Sequence, residues 1–498
     1  MQPTPDAVGT PQNPTHIAIV GRGIAGLATA YYVQREAQQA GLRLRYSLVE
    51  SAPSFGGKIV TDVQDGFTIE GGPDSFITQK PAALRLCREL GLGDRLLGTN
   101  DTQRKVFVLD GGRLRPLPDG VMLVIPTRFA PFALSPLVSL PGKLRMGLDL
   151  FIPPRRDNGD ESLADFIRRR LGQEALDKIA EPLMAGIHVA DPERLSLQAT
   201  FPRFIQLEEK YGSLIKGMLA QKGQAAGQQR NGAGRTLSLF MTLRGGLREL
   251  VRELASRLEG ELLPGTGVLE LTRASGPRPG YHLRLTGGRS LDADAVILAT
   301  PAFVAARLVE PMHANLAARL WAIRYVSTAT VSLGFRRAEF EHPLGGFGFV
   351  VAAREKSRLM ACTWTSTKFN ERAPVEHVLL RAFVGGPHHQ ELVELPDEAL
   401  IQLVRDELQK VMGVNARPVI SRIYRWPQAN PQYDVGHLER VTQIEAVAEE
   451  LPGLYFTGSA YRGVGIPDCI QQGQETASLV VAAIANQEIA SQPHLAVT

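Results

Sequence analysis

His16-Ile17-Ala18-Ile19-Val20-Gly21-Arg22-Gly23-Ile24-Ala25-Gly26 decides the fold. The apolar run to Val20 reads as a buried strand, and Leu27 to about Gln39 carries helical periodicity. Leu42 to Val49 then alternates as a second strand and closes on Glu50, 24 positions after the last glycine. Strand, glycine turn, helix and strand ending on an acid form a dinucleotide-binding unit, and each residue has a physical reason. Gly21 permits the tight turn, Gly23 removes a side chain that would block a pyrophosphate, and Gly26 lets helix and strand approach. The helix N-terminus then faces the phosphates. Glu50 accepts hydrogen bonds from ribose hydroxyls, which disfavours a 2′-phosphate.

Working outward, Leu291 to Leu298 reads as a strand, as does Gly453 to Phe456. Cys469 to Ile484 reads as a helix announced by Pro467 and Asp468. Leu163 to Leu219 is helical in pattern, whereas Tyr325 to Val384 is rich in β-branched and aromatic residues. The dinucleotide unit is therefore assembled from discontinuous segments. Lys222 to Arg235 is Gly/Gln-rich and reads as a mobile loop, and residues 1–15 read as a loose tail.

The chain's 498 residues, 44% apolar and 21% charged, fit a folded, soluble protein of two or three units. Lys plus Arg is 55 and Asp plus Glu 51, a net +4 that gives no nucleic-acid signature. Cys87, Cys362 and Cys469 stand in no metal-ligand or disulfide spacing, so no metal site is expected and a reducing, cytoplasmic setting suits them. Residues Met1 to Thr15 lack the features of a secretory signal. Val121 to Ile152 is the most apolar stretch, but charges and prolines interrupt it, which argues against a spanning helix. Contact with a membrane surface stays open beside an interior cavity or a subunit interface. Arg168-Arg169-Arg170 reads as a solvated helix face, Trp364 as core, and His188 as a structural histidine.

NAD and FAD share the glycine fingerprint. The continuation Ser51-Ala52-Pro53-Ser54-Phe55-Gly56-Gly57-Lys58 resembles the extended motif of the flavin-containing amine oxidase superfamily and points to FAD, with Lys58 supplying charge near the pyrophosphate. Glu70-Gly71-Gly72-Pro73-Asp74-Ser75-Phe76 and Thr457-Gly458-Ser459-Ala460-Tyr461-Arg462-Gly463-Val464-Gly465-Ile466-Pro467-Asp468 are more specific. With Ala185-Gly186-Ile187-His188 and Gly346-Phe347-Gly348-Phe349-Val350, they resemble the oxygen-dependent porphyrinogen oxidases of heme biosynthesis over about residues 15 to 485.

That resemblance implies an α/β fold with a Rossmann-type FAD-binding domain (16–85, about 240–300 and 445–485). An α+β substrate domain (about 86–100 and 301–444) and a helical domain (about 100–220) of the membrane-association type complete it. It implies non-covalent FAD on Gly21, Arg22, Gly23, Ile24, Ala25, Gly26, Glu50, Ser51, Lys58, Gly72, Pro73, Asp74, Ser75, Val268, Trp426, Val464, Gly465 and Ile466. It places the substrate on Gly186, Val350, Thr363 and Phe383, with Lys80 meeting a propionate. The implied reaction is a six-electron oxidation of coproporphyrinogen III or protoporphyrinogen IX, with oxygen as acceptor and hydrogen peroxide as product. No acid or base residue is singled out, and a homodimer stays open. The competing readings are another superfamily activity, such as an amine oxidase or a desaturase, and a flavin- or tetrapyrrole-binding module without turnover.

Overall fold

The computed structural model describes residues 14–491 apart from 101, 119–120, 123–124, 127–128, 158, 230–237, 275–279 and 353. Five parallel strands form the central sheet in the order Glu261–Leu263, Leu44–Val49, Thr15–Val20, Ala295–Leu298 and Leu454–Phe456. The first strand is buried on both faces, which is why it reads as a continuous apolar run. Ile17 and Ile19 enter one core beneath the helix Ile24–Ala40 and the last helix, Ile466–Ser491. Ala18 and Val20 enter a second core on the opposite face. The two helices pack closely because Gly473 has no side chain: a Cβ there would lie 2.8 Å from the Ala25 carbonyl oxygen.

The run Leu291 to Leu298, expected as one strand, is two. Ser290–Ala293 pairs antiparallel with Tyr281–Leu285, and Ala295–Leu298 joins the central sheet. The break falls at Asp294, whose N–H donates to the His16 carbonyl (2.8 Å) while its carboxylate accepts from His16 N–H (2.7 Å).

A seven-stranded sheet forms the other half, in the order Ile420–Pro431, Tyr325–Arg336, His377–Gly385, Leu359–Trp364, Gly348–Val351, Val106–Asp110 and Arg113–Pro116. Ala329, Val331, Leu333 and Phe335 alternate into a core capped by the helix Asp397–Met412, and Trp364 lies in that core. Thr328, Thr330 and Ser332 therefore fall on the opposite face.

The domain boundaries differ from those expected. Residues 106–116, placed with the helical domain, extend the seven-stranded sheet because Val106–Asp110 pairs parallel with Gly348–Val351. Leu86, Cys87 and Leu90, placed with the substrate domain, pack in the core under the first helix, as Leu96 does at its edge. The helices Ala302–Val309 and Ala314–Trp321, placed with the substrate domain, pack in the second core beside the central parallel sheet. Of the expected loop 222–235, residues 222–229 continue the helix Leu214–Gln229; the remainder, like residues 1–13 of the tail, lies outside the described residues.

The helical unit is pinned by a buried charge that the arginine triplet concealed. Arg168 and Arg169 are partly solvated, but Arg170 is fully buried. Its Nε donates to Asp149 Oδ1 (2.6 Å) and its Nη2 to the carbonyls of Asp149 (3.0 Å) and Gly212 (2.8 Å). The other Asp149 oxygen accepts from Ser213 Oγ (2.6 Å) and Ile215 N–H (3.0 Å). Asp149→Ala removes the closer of two carboxylate partners, leaving the guanidinium with Glu208 Oε1 at 3.3 Å, and should cost about 3 kcal/mol in the stability of this unit. Chemical denaturation checks this, and a loss under about 1 kcal/mol would contradict the assignment.

Candidate active site

A cavity of ≈ 650 Å³ runs from the end of the second strand, at Glu50, to the polar face of the seven-stranded sheet. Its first part is made of backbone. Gly21 sits at φ +106°, and a Cβ on it would lie 2.6 Å from the Ala299 carbonyl oxygen. A Cβ on Gly26 would come within 1.9 Å of the Gly21 carbonyl oxygen, so helix and strand touch there through glycine alone. Gly23 differs: a Cβ on it meets nothing within 4 Å, and the residue opens into the cavity at the N-terminus of the helix. A cradle closed behind and open in front, facing a helix N-terminus, fits the pyrophosphate of FAD.

Glu50 is fixed before any ligand arrives. Its Oε2 accepts from Arg22 N–H (3.0 Å), and its Oε1 accepts from Ala52 N–H (2.8 Å) and Ser51 Oγ–H (3.1 Å). A carboxylate oxygen has lone pairs to spare, so this geometry presents Glu50 to ribose hydroxyls without reorganisation. The Arg22 side chain turns away from the cavity. It is fully buried over the Phe55 ring, 3.0 Å from its centroid, and burial draws its pKa down to about 10 against the pull of Glu50.

The second part joins the two sheets. Gly72 fits so tightly that a Cβ would lie 1.7 Å from the Lys58 carbonyl oxygen. Lys58 lines the cavity, but its ammonium reaches across to donate to the Ala429 carbonyl on the seven-stranded sheet rather than staying beside the glycine turn. Burial lowers its pKa, with neighbouring Cys469 opposing. Trp426 lines the wall and donates Nε1–H to the Gly71 carbonyl (2.9 Å); Thr330 Oγ–H donates to the same oxygen (3.0 Å). The cavity floor is Thr328, Thr330, Arg381 and Phe383, the face opposite the apolar core.

Of the expected FAD residues, Gly21, Gly23, Ile24, Ala25, Glu50, Ser51, Lys58, Gly72, Pro73, Ser75, Val268, Trp426, Val464, Gly465 and Ile466 line this cavity. Gly26 and Arg22 lie behind the wall, and Asp74 is bound to Lys368 at 2.9 and 3.0 Å. Of the expected substrate residues, Phe383 lines the cavity. Gly186, Val350 and Thr363 sit beside it instead: a Cβ on Gly186 would lie 2.7 Å from Val350 Cγ1, and Thr363 pairs with Arg381 across neighbouring strands. Lys80 is largely exposed at the rim, bound to Asp468 Oδ1 at 2.7 Å. The His188 side chain lies outside the described residues. Sequence reasoning missed Arg381, Thr330, Tyr325 and Val189. Arg381 had a signal, since a charge inside the apolar strand His377–Gly385 must be paired or face a cavity.

Cys469 also lines the cavity; burial pushes its thiol up to about 12, which leaves it neutral and unreactive. Among the described residues no cluster of His, Cys, Asp and Glu is arranged to hold a metal ion.

The glycine geometry separates two variants. Gly23→Val should leave a folded protein, within about 1 kcal/mol of the FAD-free parent, that retains no flavin absorbance after gel filtration. Gly26→Val should fail at folding itself, because its side chain lands on backbone. Glu50→Ala should weaken FAD by about 1.5–3 kcal/mol in a direct titration while preserving the fold. Retained flavin in Gly23→Val, or an unchanged dissociation constant in Glu50→Ala, would contradict the cradle.

Comparison with known proteins agrees with this geometry. The family model described as flavin containing amine oxidoreductase matches residues 24–481. A coproporphyrinogen III oxidase of Bacillus subtilis is 40% identical, over 93% of this chain and 97% of the relative. A chloroplastic protoporphyrinogen oxidase of Nicotiana tabacum is 28% identical, over 95% of this chain and 86% of its own length. A crystal structure assigned as a protoporphyrinogen oxidase from Exiguobacterium sp. 255-15 superposes with a TM-score of 0.82 at 34% identity, covering 94% of this chain and 99% of that one. The chain therefore belongs to the flavin-containing amine oxidoreductase family, and FAD is the cofactor its cavity is built for.

Proposed function

We propose that this chain is an FAD-dependent porphyrinogen oxidase of heme biosynthesis and that its substrate is coproporphyrinogen III. The observation that carries the reading is the single cavity that joins the dinucleotide cradle to a floor of threonine, arginine and phenylalanine on the second sheet. The similarity is higher to the bacterial coproporphyrinogen III oxidase, at 40%, than to the chloroplast protoporphyrinogen oxidase, at 28%, which favours the four-propionate substrate.

FAD, when bound, takes two electrons and a proton from substrate at each step and passes the electrons to oxygen. The porphyrinogen loses hydride from carbons already activated by flanking pyrroles, so the chain's work is to bind, orient and exclude water. Glu50 fixes the ribose end, and the first helix receives the phosphates. The floor supplies Phe383 as an apolar face for the macrocycle. The cavity's own ionisable side chains fit this division of labour. The thiol of Cys469 stays neutral, Tyr325 is pushed up by burial, and Glu50 is committed to its backbone donors. Three such steps remove six electrons and reduce three molecules of oxygen to peroxide.

Lys80 is proposed to meet a substrate carboxylate, because its side chain is 57% exposed and Asp468 occupies one of its three donors. Contact with a membrane surface is proposed for the helical unit. Leu140, Leu144 and Leu148 form one face of the helix Leu140–Gly147 and the turn after it; with Leu134 and Phe151 they are 50–86% exposed. No helix among the described residues is long and apolar enough to cross a membrane.

Under air, the FAD-loaded protein should convert coproporphyrinogen III to fluorescent porphyrin with a higher kcat/KM than protoporphyrinogen IX. Equal or reversed preference would overturn the substrate assignment, and a flavin-loaded protein with no porphyrin fluorescence would favour the non-catalytic module. Lys80→Ala should lose more kcat/KM with the four-propionate substrate than with the two-propionate one; equal losses would confine Lys80 to holding Asp468. Binding to anionic vesicles should be lost in Leu144→Glu/Leu148→Glu, and a parent protein that never sediments with vesicles would refute the membrane contact.

A further inference from the structure

Arg381 is a buried cation whose partners do not account for it. Leu380, Ala382 and Val384 enter the apolar core, which turns Arg381 and Phe383 to the cavity. Arg381 is 4% exposed. Its Nη2 donates to the carbonyls of Gly71 (3.2 Å) and Gly72, and its Nε is wholly buried without a partner among the described residues. The nearby carboxylate is spent elsewhere, since Asp74 is bound by Lys368 at 2.9 and 3.0 Å and by Ser75 Oγ at 2.6 Å. Burial alone would raise the Asp74 pKa, but Lys368 and Arg381 hold it down at about 2. Glu70 is likewise committed, to Thr61 Oγ (2.7 Å) and Leu247 N–H (2.8 Å). A buried guanidinium left with carbonyl partners and a free N–H has a positive charge to offer to the cavity.

The polarity of the dinucleotide unit gives the Glu50 end to the adenosine and the Gly23 turn to the phosphates. That leaves the wall where Lys58, Gly72 and Arg381 meet for the redox-active ring. We propose that Arg381 is the positioning residue of this redox end: Nη2 fixes the Gly71–Gly72 backbone, and the unneutralised charge favours the anionic, reduced form of the cofactor. The inference rests on FAD occupancy and is independent of which porphyrinogen is used.

Sulfite is the probe, because it adds to oxidised flavin, bleaches its visible absorbance and leaves a negative charge that a nearby cation stabilises. In the FAD-loaded protein, Arg381→Met should weaken sulfite binding at least about 30-fold, the low end of what loss of a buried charge costs, whereas Arg381→Lys should stay within about threefold of the parent. Trp426→Phe removes a donor from the Gly71 carbonyl without removing charge and should also stay within about threefold. Asp74→Asn removes a carboxylate that Lys368 binds and that Arg381 faces without a hydrogen bond, which leaves this wall more positive and should tighten sulfite binding, a test that stands even if Arg381→Met loses its flavin. Any of three sulfite results would overturn the proposal. These are unchanged sulfite affinity in Arg381→Met, an equal loss in Trp426→Phe, or no tightening in Asp74→Asn. Weaker binding of coproporphyrin III in Arg381→Met with sulfite affinity intact would also overturn it, by assigning the guanidinium to a substrate carboxylate.

Discussion

Backbone-on-backbone contact at a few glycines is the constraint on which this molecule depends. At Gly26 a single methyl group would land 1.9 Å from the Gly21 carbonyl oxygen, and at Gly72 it would land 1.7 Å from that of Lys58. The first contact sets the distance between the first strand and its helix, and so aims the helix N-terminus. The second sets how close the segment after Glu70 comes to the turn carrying Lys58. Neither is a hydrophobic or electrostatic preference that a different side chain could approximate; each is a hard-sphere limit. Gly23, whose missing side chain meets nothing, is the exception that marks where a ligand goes.

From that frame the second sheet becomes part of the cofactor site. The Gly71 carbonyl accepts hydrogen bonds from Thr330, Arg381 and Trp426, on three adjacent strands of the seven-stranded sheet. Lys58 returns the tie by donating to the Ala429 carbonyl. The dinucleotide unit and the seven-stranded sheet are thus fastened at the wall they share.

The first unit was legible in the sequence because its signals are local: periodicity, a glycine turn and an acid at a fixed distance. The split at Asp294 was not, because the alternating Leu291-Asp292-Ala293-Asp294 and the apolar Ala295–Leu298 both read as strand and only their different partners divide them. Arg170 was misread for a related reason. A triplet of arginines looks solvated, and nothing near it announces that Asp149, 21 positions earlier, will meet the third one in the interior. Residues 106–116 were assigned to the wrong unit because pairing between Val106–Asp110 and Gly348–Val351 spans some 240 positions. Most of the residues expected from the family motifs to hold FAD line the cavity, whereas of those expected for the substrate Phe383 alone reaches its wall, with Gly186, Val350 and Thr363 packed beside it.

The central claim is that the cavity brings a porphyrinogen into redox contact with the bound cofactor. Mixing the FAD-loaded protein with coproporphyrinogen III in the absence of oxygen tests it most directly, with the flavin's visible absorbance followed in time. The account predicts bleaching of the bound flavin without porphyrin fluorescence, because one flavin takes two of the six electrons, and then recovery of the absorbance together with the appearance of fluorescence when air is admitted. Flavin that stays oxidised in the presence of excess porphyrinogen would contradict it.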